Sequence, residues 1–250
     1  MNSPTELRVL LAPSGAPGPT VEPGASDAAT PALVYHADAR RAVGATLILG
    51  HGAGAGQRSA FMVGVARGLS RLGIDVVTFD FPYVARGRRL PDRAPALEAC
   101  YRAVIAVVRR DIESARRCLC IGGKSMGGRM ATHVAAADQD CPITGLVLLG
   151  YPLHPPKRPA AVRTAHLPAV HRPMLFIHGT RDGFGTPDEL REALTGIDPA
   201  PSLHIVAGGD HSLNVLKSAP VPQAGVDADV RQRIVDWVSG IASEVSRPSG

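Results

Sequence analysis

The sequence predicts a doubly wound α/β domain with a mostly parallel sheet and helices on both faces. Short apolar runs recur along the chain, and most lack the polar–apolar alternation of a half-exposed strand. Amphipathic segments of helical period lie between them. Alternating strands and helices are typical of this fold class, whose ligands bind outside the carboxyl ends of the strands. With 250 residues, 45% of them hydrophobic, the chain can bury one large core.

The order of the elements follows from these patterns. The candidate strands are Leu7–Leu11, Leu33–His36, Ala45–Leu49, Val76–Phe79, Cys118–Ile121, Leu146–Leu149, Met174–Ile177 and Leu203–Val206. Helices are predicted over Phe61–Leu72, Leu97–Ile112, Arg129–Ala137 and Val230–Val245. Each of these helices would lay an apolar stripe on the sheet.

The chain is predicted to form one domain. Residues 44–245 hold the alternating pattern, and residues 1–43 supply N-terminal strands and a Pro- and Gly-rich loop that join it. The aperiodic stretch 13–32 is predicted as a loop, and residues 246–250 as a flexible tail. The Pro- and His-rich connection 152–173 is placed to roof a pocket and is too short and irregular for a separate lid domain.

Composition argues against several classes of protein. The net charge is +5, the basic residues are mostly scattered and aromatic residues make up only 4%, so no nucleic-acid partner is expected. No apolar run approaches the roughly 18 residues of a membrane helix, and the N-terminus lacks a signal-peptide pattern, which predicts a cytoplasmic protein without a membrane partner. The cysteines contain no C-x-x-C pair and are predicted to be buried thiols: Cys100, Cys118, Cys120 and Cys141.

The most informative motif is Gly123-x-Ser125-x-Gly127, which falls between a predicted strand and a predicted helix. This context is typical of a nucleophile elbow, where glycines relieve crowding and the turn exposes the serine hydroxyl. A phosphate-binding P-loop would need a glycine where Cys118 stands, so that motif is excluded. A purely structural Gly-rich turn is the remaining alternative.

Partners for Ser125 occur in the chain order nucleophile, acid, histidine. Asp182 follows the strand Met174–Ile177, and His211 follows the strand Leu203–Val206. In this arrangement the histidine takes the serine proton and the carboxylate orients the histidine. Asp210 is the rival acid, but adjacent side chains usually diverge, and Asp182 is therefore preferred.

The loop after Ala45–Leu49 is a candidate oxyanion-binding element. In it, His51 is expected to hold the loop, while the backbone N–H groups of Ala53 and Gly54 approach the substrate together with that of Met126. The other histidines are dispersed and show no metal-binding spacing, so no metal and no cofactor are expected.

An arginine cluster follows the strand Val76–Phe79 and comprises Arg86, Arg88, Arg89 and Arg93. Such a run is typical of solvated surface. The alternative is that it emerges at the same sheet edge as the elbow and binds an anionic group of the substrate.

Taken together, the elbow, the His51-Gly52-Ala53-Gly54 loop, Asp182 and His211 resemble the α/β-hydrolase superfamily over about residues 44–245. The run Phe79-Asp80-Phe81-Pro82-Tyr83, with the arginines after it, resembles the branch that contains testis-expressed protein 30 and a non-specific-lethal complex subunit, near dienelactone-hydrolase-like proteins. The resemblance implies a Ser-His-Asp hydrolase without a cofactor. Dienelactone hydrolases proper use a cysteine nucleophile, so their substrate is not carried over.

The sequence therefore predicts a serine hydrolase that cleaves a small-molecule ester or thioester through an acyl-enzyme at Ser125. Two alternatives stay open: a small-peptide or amide hydrolase, whose site is similar, and a non-catalytic interaction module on the same fold. The acyl group, the leaving group and the oligomeric state depend on loops without a readable pattern.

Overall fold

An eight-stranded sheet forms the centre of the computed structural model, which describes residues 3–11 and 29–245. All eight predicted strands are present at the expected places. The strands are β1 (Thr5–Leu10), β2 (Ala29–Tyr35), β3 (Thr46–Gly50), β4 (Asp75–Phe79), β5 (Leu119–Lys124), β6 (Gly145–Leu149), β7 (Met174–Gly179) and β8 (Ser202–Val206).

The strand order creates a crevice at one edge of the sheet. The order is β1-β2-β4-β3-β5-β6-β7-β8, in which β2 is antiparallel to both of its neighbours and all other neighbouring pairs are parallel. Because β4 lies on one side of β3 and β5 lies on the other, the winding direction reverses at the β3–β5 pair. Ligands of doubly wound sheets bind at such a reversal. The segments that follow Gly50 and Lys124 meet there.

Helices cover both faces of the sheet, as predicted. They are α1 (Ala60–Arg71), α2 (Pro82–Ala85), α3 (Ala94–Asp111), α4 (Glu113–Arg117), α5 (Met126–Ala137), α6 (Pro187–Ala193) and α7 (Gln223–Val245). One core contains Leu69 of α1 and Ile234 of α7, and the other contains Val104 of α3 and Met130 of α5. The mostly parallel, doubly wound architecture is therefore confirmed.

The predicted loop over residues 13–32 ends too late in the chain. Residues 29–32 belong to β2, where Pro31 is paired with Arg8 of β1. A proline within a short, weakly apolar segment argues against a strand because it cannot donate a ladder hydrogen bond. Here the Pro31 carbonyl accepts hydrogen bonds from the backbone N–H of Asp80 and from Gln57 Nε2. Residues 13–28 of the loop and the tail 246–250 lie outside the described residues.

The short helices α2, α4 and α6 were not predicted from the apolar pattern. For α6 the sequence did contain a signal, because Thr186 caps the helix in a reciprocal capping box with Glu189 and Pro187 stands in the first turn. The T-x-x-E spacing identifies helix starts even where the apolar stripe is too short to be recognised.

Two predictions from composition concern membranes and cysteines. Within residues 3–11 and 29–245, no helix is long and apolar enough to cross a membrane. The cytoplasmic location stays a prediction. Cys100, Cys118, Cys120 and Cys141 are all free and buried, as predicted.

Candidate active site

Ser125 occupies a strained turn between β5 and α5. Its backbone angles are φ 52° and ψ −114°, a conformation that non-glycine residues rarely adopt. The backbone N–H of Ser125 donates to the carbonyl of Leu149 on β6, and the Ser125 carbonyl accepts from the Arg129 N–H of α5. These two bonds fix the turn between the sheet and the helix, so that the serine is held at the carboxyl end of the sheet.

The elbow glycines are required by the close approach of β3. A Cβ atom on Gly123 would lie 2.2 Å from the Gly50 carbonyl oxygen, and one on Gly127 would lie 2.1 Å from the same oxygen. Both distances are far inside van der Waals contact. Gly123 also has φ +150°, which side chains with a Cβ rarely adopt. The sequence argument from backbone crowding thus has a named cause, the end of β3.

A continuous hydrogen-bond chain joins Ser125, His211 and Asp182. The Ser125 Oγ lies 2.8 Å from His211 Nε2, and His211 Nδ1 lies 2.8 Å from Asp182 Oδ2 and 2.9 Å from Asp182 Oδ1. The Asp182 side chain is fully buried, whereas 22% of the His211 side chain is exposed. Phe184 stacks on the His211 ring at a centroid distance of 4.1 Å. The histidine is therefore held from two sides while its Nε2 faces the serine.

Asp182 is built to stay ionised. Burial by itself raises the pKa of this carboxyl, but the hydrogen bond and the charge of His211 and the backbone N–H of Phe184 outweigh burial and hold the pKa below its usual value. The Phe184 N–H lies 2.8 Å from Asp182 Oδ1. An ionised carboxylate at this place fixes the proton of His211 on Nδ1, which leaves Nε2 free to accept.

Asp210, the rival acid, points into its own turn. Its Oδ1 accepts hydrogen bonds from the backbone N–H groups of Ser212 at 2.7 Å and Asn214 at 2.9 Å. This is an Asx-type turn, in which the carboxylate shapes the loop that carries His211. The structure thus brings Asp182, and not Asp210, to the histidine.

Lys124 was missed by the sequence analysis, although it is the residue directly before Ser125. Its side chain is buried, and Nζ donates a hydrogen bond to the backbone carbonyl of His211. Nζ also lies 5.8 Å from the centre of the Phe61 ring. Burial lowers the pKa of Lys124 to about 8. The elbow motif does not predict this contact, because the contact depends on how the β8–α7 loop, which carries His211, packs against the elbow.

The loop after β3 has the supporting role predicted for it. His51 is completely buried, and burial lowers its pKa and favours the neutral ring. Its Nδ1 donates to the Gly52 carbonyl at 2.8 Å, and its Nε2 accepts from the Phe81 N–H at 3.1 Å. Both ring nitrogens are thereby occupied, so His51 holds the loop. Ala53, two residues further along, lines the cavity beside Ser125.

A cavity of about 510 Å³ opens over Ser125 and His211. Its apolar wall includes Phe61, Met62 and Leu97, and the connection 152–173 contributes Pro152 and Arg163 to the lining. Of the three residues expected to stabilise an oxyanion, Met126 and Ala53 line this cavity, and Gly54 is not part of its lining. Two arginines also line it, Arg129 of α5 and Arg163 of the connection.

The arginine cluster does not reach this cavity. Arg86, Arg88 and Arg89 are exposed, and none of them belongs to the lining. After β4 the chain turns through α2, the Arg88 N–H donates to the Tyr83 carbonyl, and the Arg88 guanidinium pairs with Asp92. The solvated-surface interpretation fits this exposure, and the alternative, that the cluster binds an anionic group of the substrate, finds no support in the lining of the cavity.

Three further histidines are engaged in local contacts. His178 is buried and lies 2.7 Å from the Gly185 carbonyl, His133 lies 3.0 Å from a Glu98 oxygen, and His166 lies 2.8 Å from Thr132 Oγ1. Within the described part of the chain, no group of three or more His, Cys, Asp or Glu side chains is arranged to hold a metal ion.

Solved structures share this fold across nearly the whole chain. An α/β serine hydrolase without a lid from Xanthomonas campestris is 20% identical with a TM-score of 0.67, and the match covers 100% of this chain and 98% of that one. A dienelactone hydrolase from Anabaena variabilis is 18% identical with a TM-score of 0.66 over 94% and 97% of the two chains. A Pyrococcus furiosus esterase is 14% identical with a TM-score of 0.63 over 99% and 92%.

The family assignment rests on a direct match to the sequence. The model of the alpha/beta hydrolase domain matches residues 43–239, which contain the elbow, Asp182 and His211. The narrower branch, with testis-expressed protein 30, stays a prediction. The fold, the strained serine turn and the match over most of the chain lead to one conclusion: this protein belongs to the alpha/beta hydrolase domain family.

Proposed function

We propose that this protein is a serine hydrolase that cleaves a carboxylic ester or thioester through an acyl-enzyme at Ser125. The observation that carries the proposal is the hydrogen-bond chain from Ser125 Oγ through His211 to Asp182, with 2.8 Å at each of its two links. A serine hydroxyl in this setting can be deprotonated as it attacks. The cavity above it has room for a small substrate.

In the acylation half of the reaction, Ser125 Oγ attacks the acyl carbon and its proton moves to His211 Nε2. The negative charge of the tetrahedral intermediate develops on the former carbonyl oxygen. We assign its stabilisation to the backbone N–H groups of Met126 and Ala53, since Met126 begins α5 and the first N–H groups of a helix have no partner within it. The protonated His211 then gives its proton to the leaving alcohol or thiol as the bond to the acyl carbon breaks.

In the deacylation half, water takes the place of the leaving group. His211 Nε2 accepts a proton from the water as its oxygen attacks the acyl carbon, and the same proton returns to Ser125 Oγ when the acid is released. Asp182 stays ionised throughout and stabilises the imidazolium that forms twice per cycle. No step requires a cofactor.

The test is a covalent probe of the fluorophosphonate type, which labels activated serines, followed by intact-protein mass measurement. We expect one adduct on the parent and none on Ser125→Ala, with equal thermal unfolding curves because the hydroxyl lies at the cavity wall and outside the core. A panel of p-nitrophenyl esters, matched thioesters and anilides of graded acyl length then ranks the leaving groups.

The remaining hypotheses are outcomes of the same experiment. An unlabelled parent without turnover on any panel member would make the protein a non-catalytic interaction module. Faster turnover of anilides than of the matched esters would make it an amide or peptide hydrolase. Labelling and turnover that survive in Ser125→Ala would place the nucleophile elsewhere.

A further inference from the structure

Two arginines from different segments of the chain, Arg129 and Arg163, line the cavity. Arg129 lies four residues after Ser125 on α5, about 6 Å further along the helix axis, which puts it on the same side of the helix as the serine. Arg163 comes from the connection 152–173, where its N–H donates to the Leu153 carbonyl at 2.8 Å and its own carbonyl accepts from the buried Tyr151 hydroxyl at 3.0 Å. Two hydrogen bonds thus fix the backbone of Arg163 at the cavity wall.

Neither guanidinium has an acidic partner among the residues that the structure describes, whereas seven other arginines do. Those seven pair with a carboxylate within 4.0 Å: Arg58, Arg88, Arg102, Arg110, Arg117, Arg191 and Arg231. The Nε of Arg129 is buried and has no hydrogen-bond partner. Buried polar groups are normally satisfied, so this donor calls for an explanation.

The two positive charges also act on each other. Burial and the charge of Arg163 both lower the pKa of Arg129, while Tyr151 and Glu98 raise it less. Of the acidic groups nearby, Glu98 contacts His133, and Asp92, at the cavity wall, pairs with Arg88 through Oδ1 while its buried Oδ2 has no hydrogen-bond partner. Arg129 and Arg163 are like charges at one cavity, and neither lies within 4.0 Å of a described carboxylate, which is an unfavourable arrangement. An anion bound between the two guanidinium groups would offset their repulsion and accept a hydrogen bond from Arg129 Nε.

From this arrangement we infer that the substrate carries an anionic group, a carboxylate or a phosphate, which Arg129 and Arg163 bind while its acyl carbon lies at Ser125. The inference rests on the proposed hydrolase function and adds the substrate class. Guanidinium groups bind both kinds of oxyanion through paired hydrogen bonds. The apolar side chains Phe61, Met62 and Leu97 line the same cavity and suit a short hydrocarbon segment between the anion and the ester.

The kinetic test compares esters that differ only in charge. The p-nitrophenyl ester of glutarate, with a free carboxylate, is paired with its methyl-capped form, and a p-nitrophenyl phosphonoalkanoate tests the phosphate-like group. We expect Arg129→Gln and Arg163→Gln each to lower the anionic-to-neutral ratio of kcat/KM by about tenfold or more. Arg129→Lys keeps the charge without the paired geometry and should restore part of the ratio.

The matched control is Arg89→Gln, an exposed arginine outside the cavity lining, which should keep the parental ratio. Added salt should reduce the preference of the parent for the anionic over the neutral ester, because screening weakens interactions between charges. A parent that hydrolyses both esters with equal kcat/KM, or a loss in Arg129→Gln that is equal for both, would overturn the inference and leave the hydrolase function standing.

A binding measurement keeps the inference testable without catalysis. Ser125→Ala protein is titrated calorimetrically with glutarate and, separately, with inorganic phosphate, and the titrations are repeated after adding Arg129→Gln or Arg89→Gln. Binding that weakens about tenfold with Arg129→Gln and is retained with Arg89→Gln supports the site, and the tighter of the two ions identifies its chemistry. If neither ion binds and the anionic and neutral esters have equal kcat/KM, the inference is refuted.

Discussion

Replacing Asp182 with asparagine is expected to lower kcat by about 10⁴-fold, the size of the loss when the triad carboxylate of a serine protease is changed in this way. The same replacement at Asp210 is expected to change kcat by less than about tenfold. Both substitutions turn a carboxylate into an amide of the same shape, and only the first of the two carboxylates contacts His211. The pair therefore isolates the contribution of that contact.

The large effect follows from the hydrogen bonds around Asp182. An asparagine oxygen can still accept from the Phe184 N–H, which lies 2.8 Å from Oδ1, so the amide NH₂ takes the place of Oδ2. That NH₂ would face His211 Nδ1 at 2.8 Å, and two donors cannot face each other. The proton then moves to Nε2, which can no longer accept from Ser125. A 10⁴-fold loss corresponds to about 5.4 kcal/mol of activation free energy.

The substitution at Asp210 leaves its hydrogen bonds in place. An asparagine oxygen there can accept from the N–H groups of both Ser212 and Asn214, as the carboxylate does. The turn should keep its shape, and with it the position of His211.

The assay measures kcat with the best ester of the panel and the free energy of unfolding in urea for the parent and both variants. Because the pKa of Asp182 lies below its usual 3.8, the carboxylate stabilises the fold above that pH, and this stabilisation disappears as the pH falls through the lower, folded-state value. The parent should therefore lose its stability advantage over Asp182→Asn only below about pH 4. Equal kcat losses for the two variants, or the greater loss at Asp210, would refute the assignment of the acid.

Three further predictions concern stability. Gly127→Ala places a Cβ 2.1 Å from a backbone oxygen of β3 and should lower the free energy of unfolding in urea by at least about 3 kcal/mol. Gly64→Ala is the control: this glycine is exposed on α1 with open space around it, and its replacement should raise the free energy of unfolding by about 0.5–1 kcal/mol. Equal effects of the two substitutions would contradict the crowding argument. Tyr101→Phe removes a buried hydroxyl that donates to the Gly122 carbonyl and accepts from the Gly122 N–H of β5, and it should lower the free energy of unfolding by about 1–3 kcal/mol. An unchanged free energy of unfolding would refute this role of the hydroxyl. Burial lowers the pKa of Lys124 from 10.5 to about 8, so between these pH values the unfolded chain keeps the proton that the folded protein has lost. The free energy of unfolding of the parent should therefore rise relative to that of Lys124→Met by about 3 kcal/mol from pH 8 to pH 10.5. A difference that stays constant over this range would show that the lysine titrates normally.

Local rules were enough for the framework of the site. The apolar runs predicted all eight strands, and the signal was clearest for β3, β5, β6 and β7, because strands buried on both faces must be continuously apolar. The spacing Gly123-x-Ser125-x-Gly127 predicted the turn, since only residues without a Cβ fit beside the end of β3. The positions of Asp182 and His211 just beyond β7 and β8 also followed from the strand pattern, because parallel strands end at one edge of the sheet.

The walls of the cavity were decided by the tertiary structure alone. The arginine cluster begins at the correct edge of the sheet, but α2 turns it to the surface, where Arg88 pairs with Asp92. Lys124, Arg129 and Arg163 line one cavity together with residues from distant parts of the chain, and Lys124 also donates a hydrogen bond to the His211 carbonyl. The side-chain environment of a loop depends on which other segments pack against it, and no periodicity in one chain segment records that. The sequence alone thus determined the fold and the reacting groups of the candidate site, and the packing of distant loops determined which charges surround them.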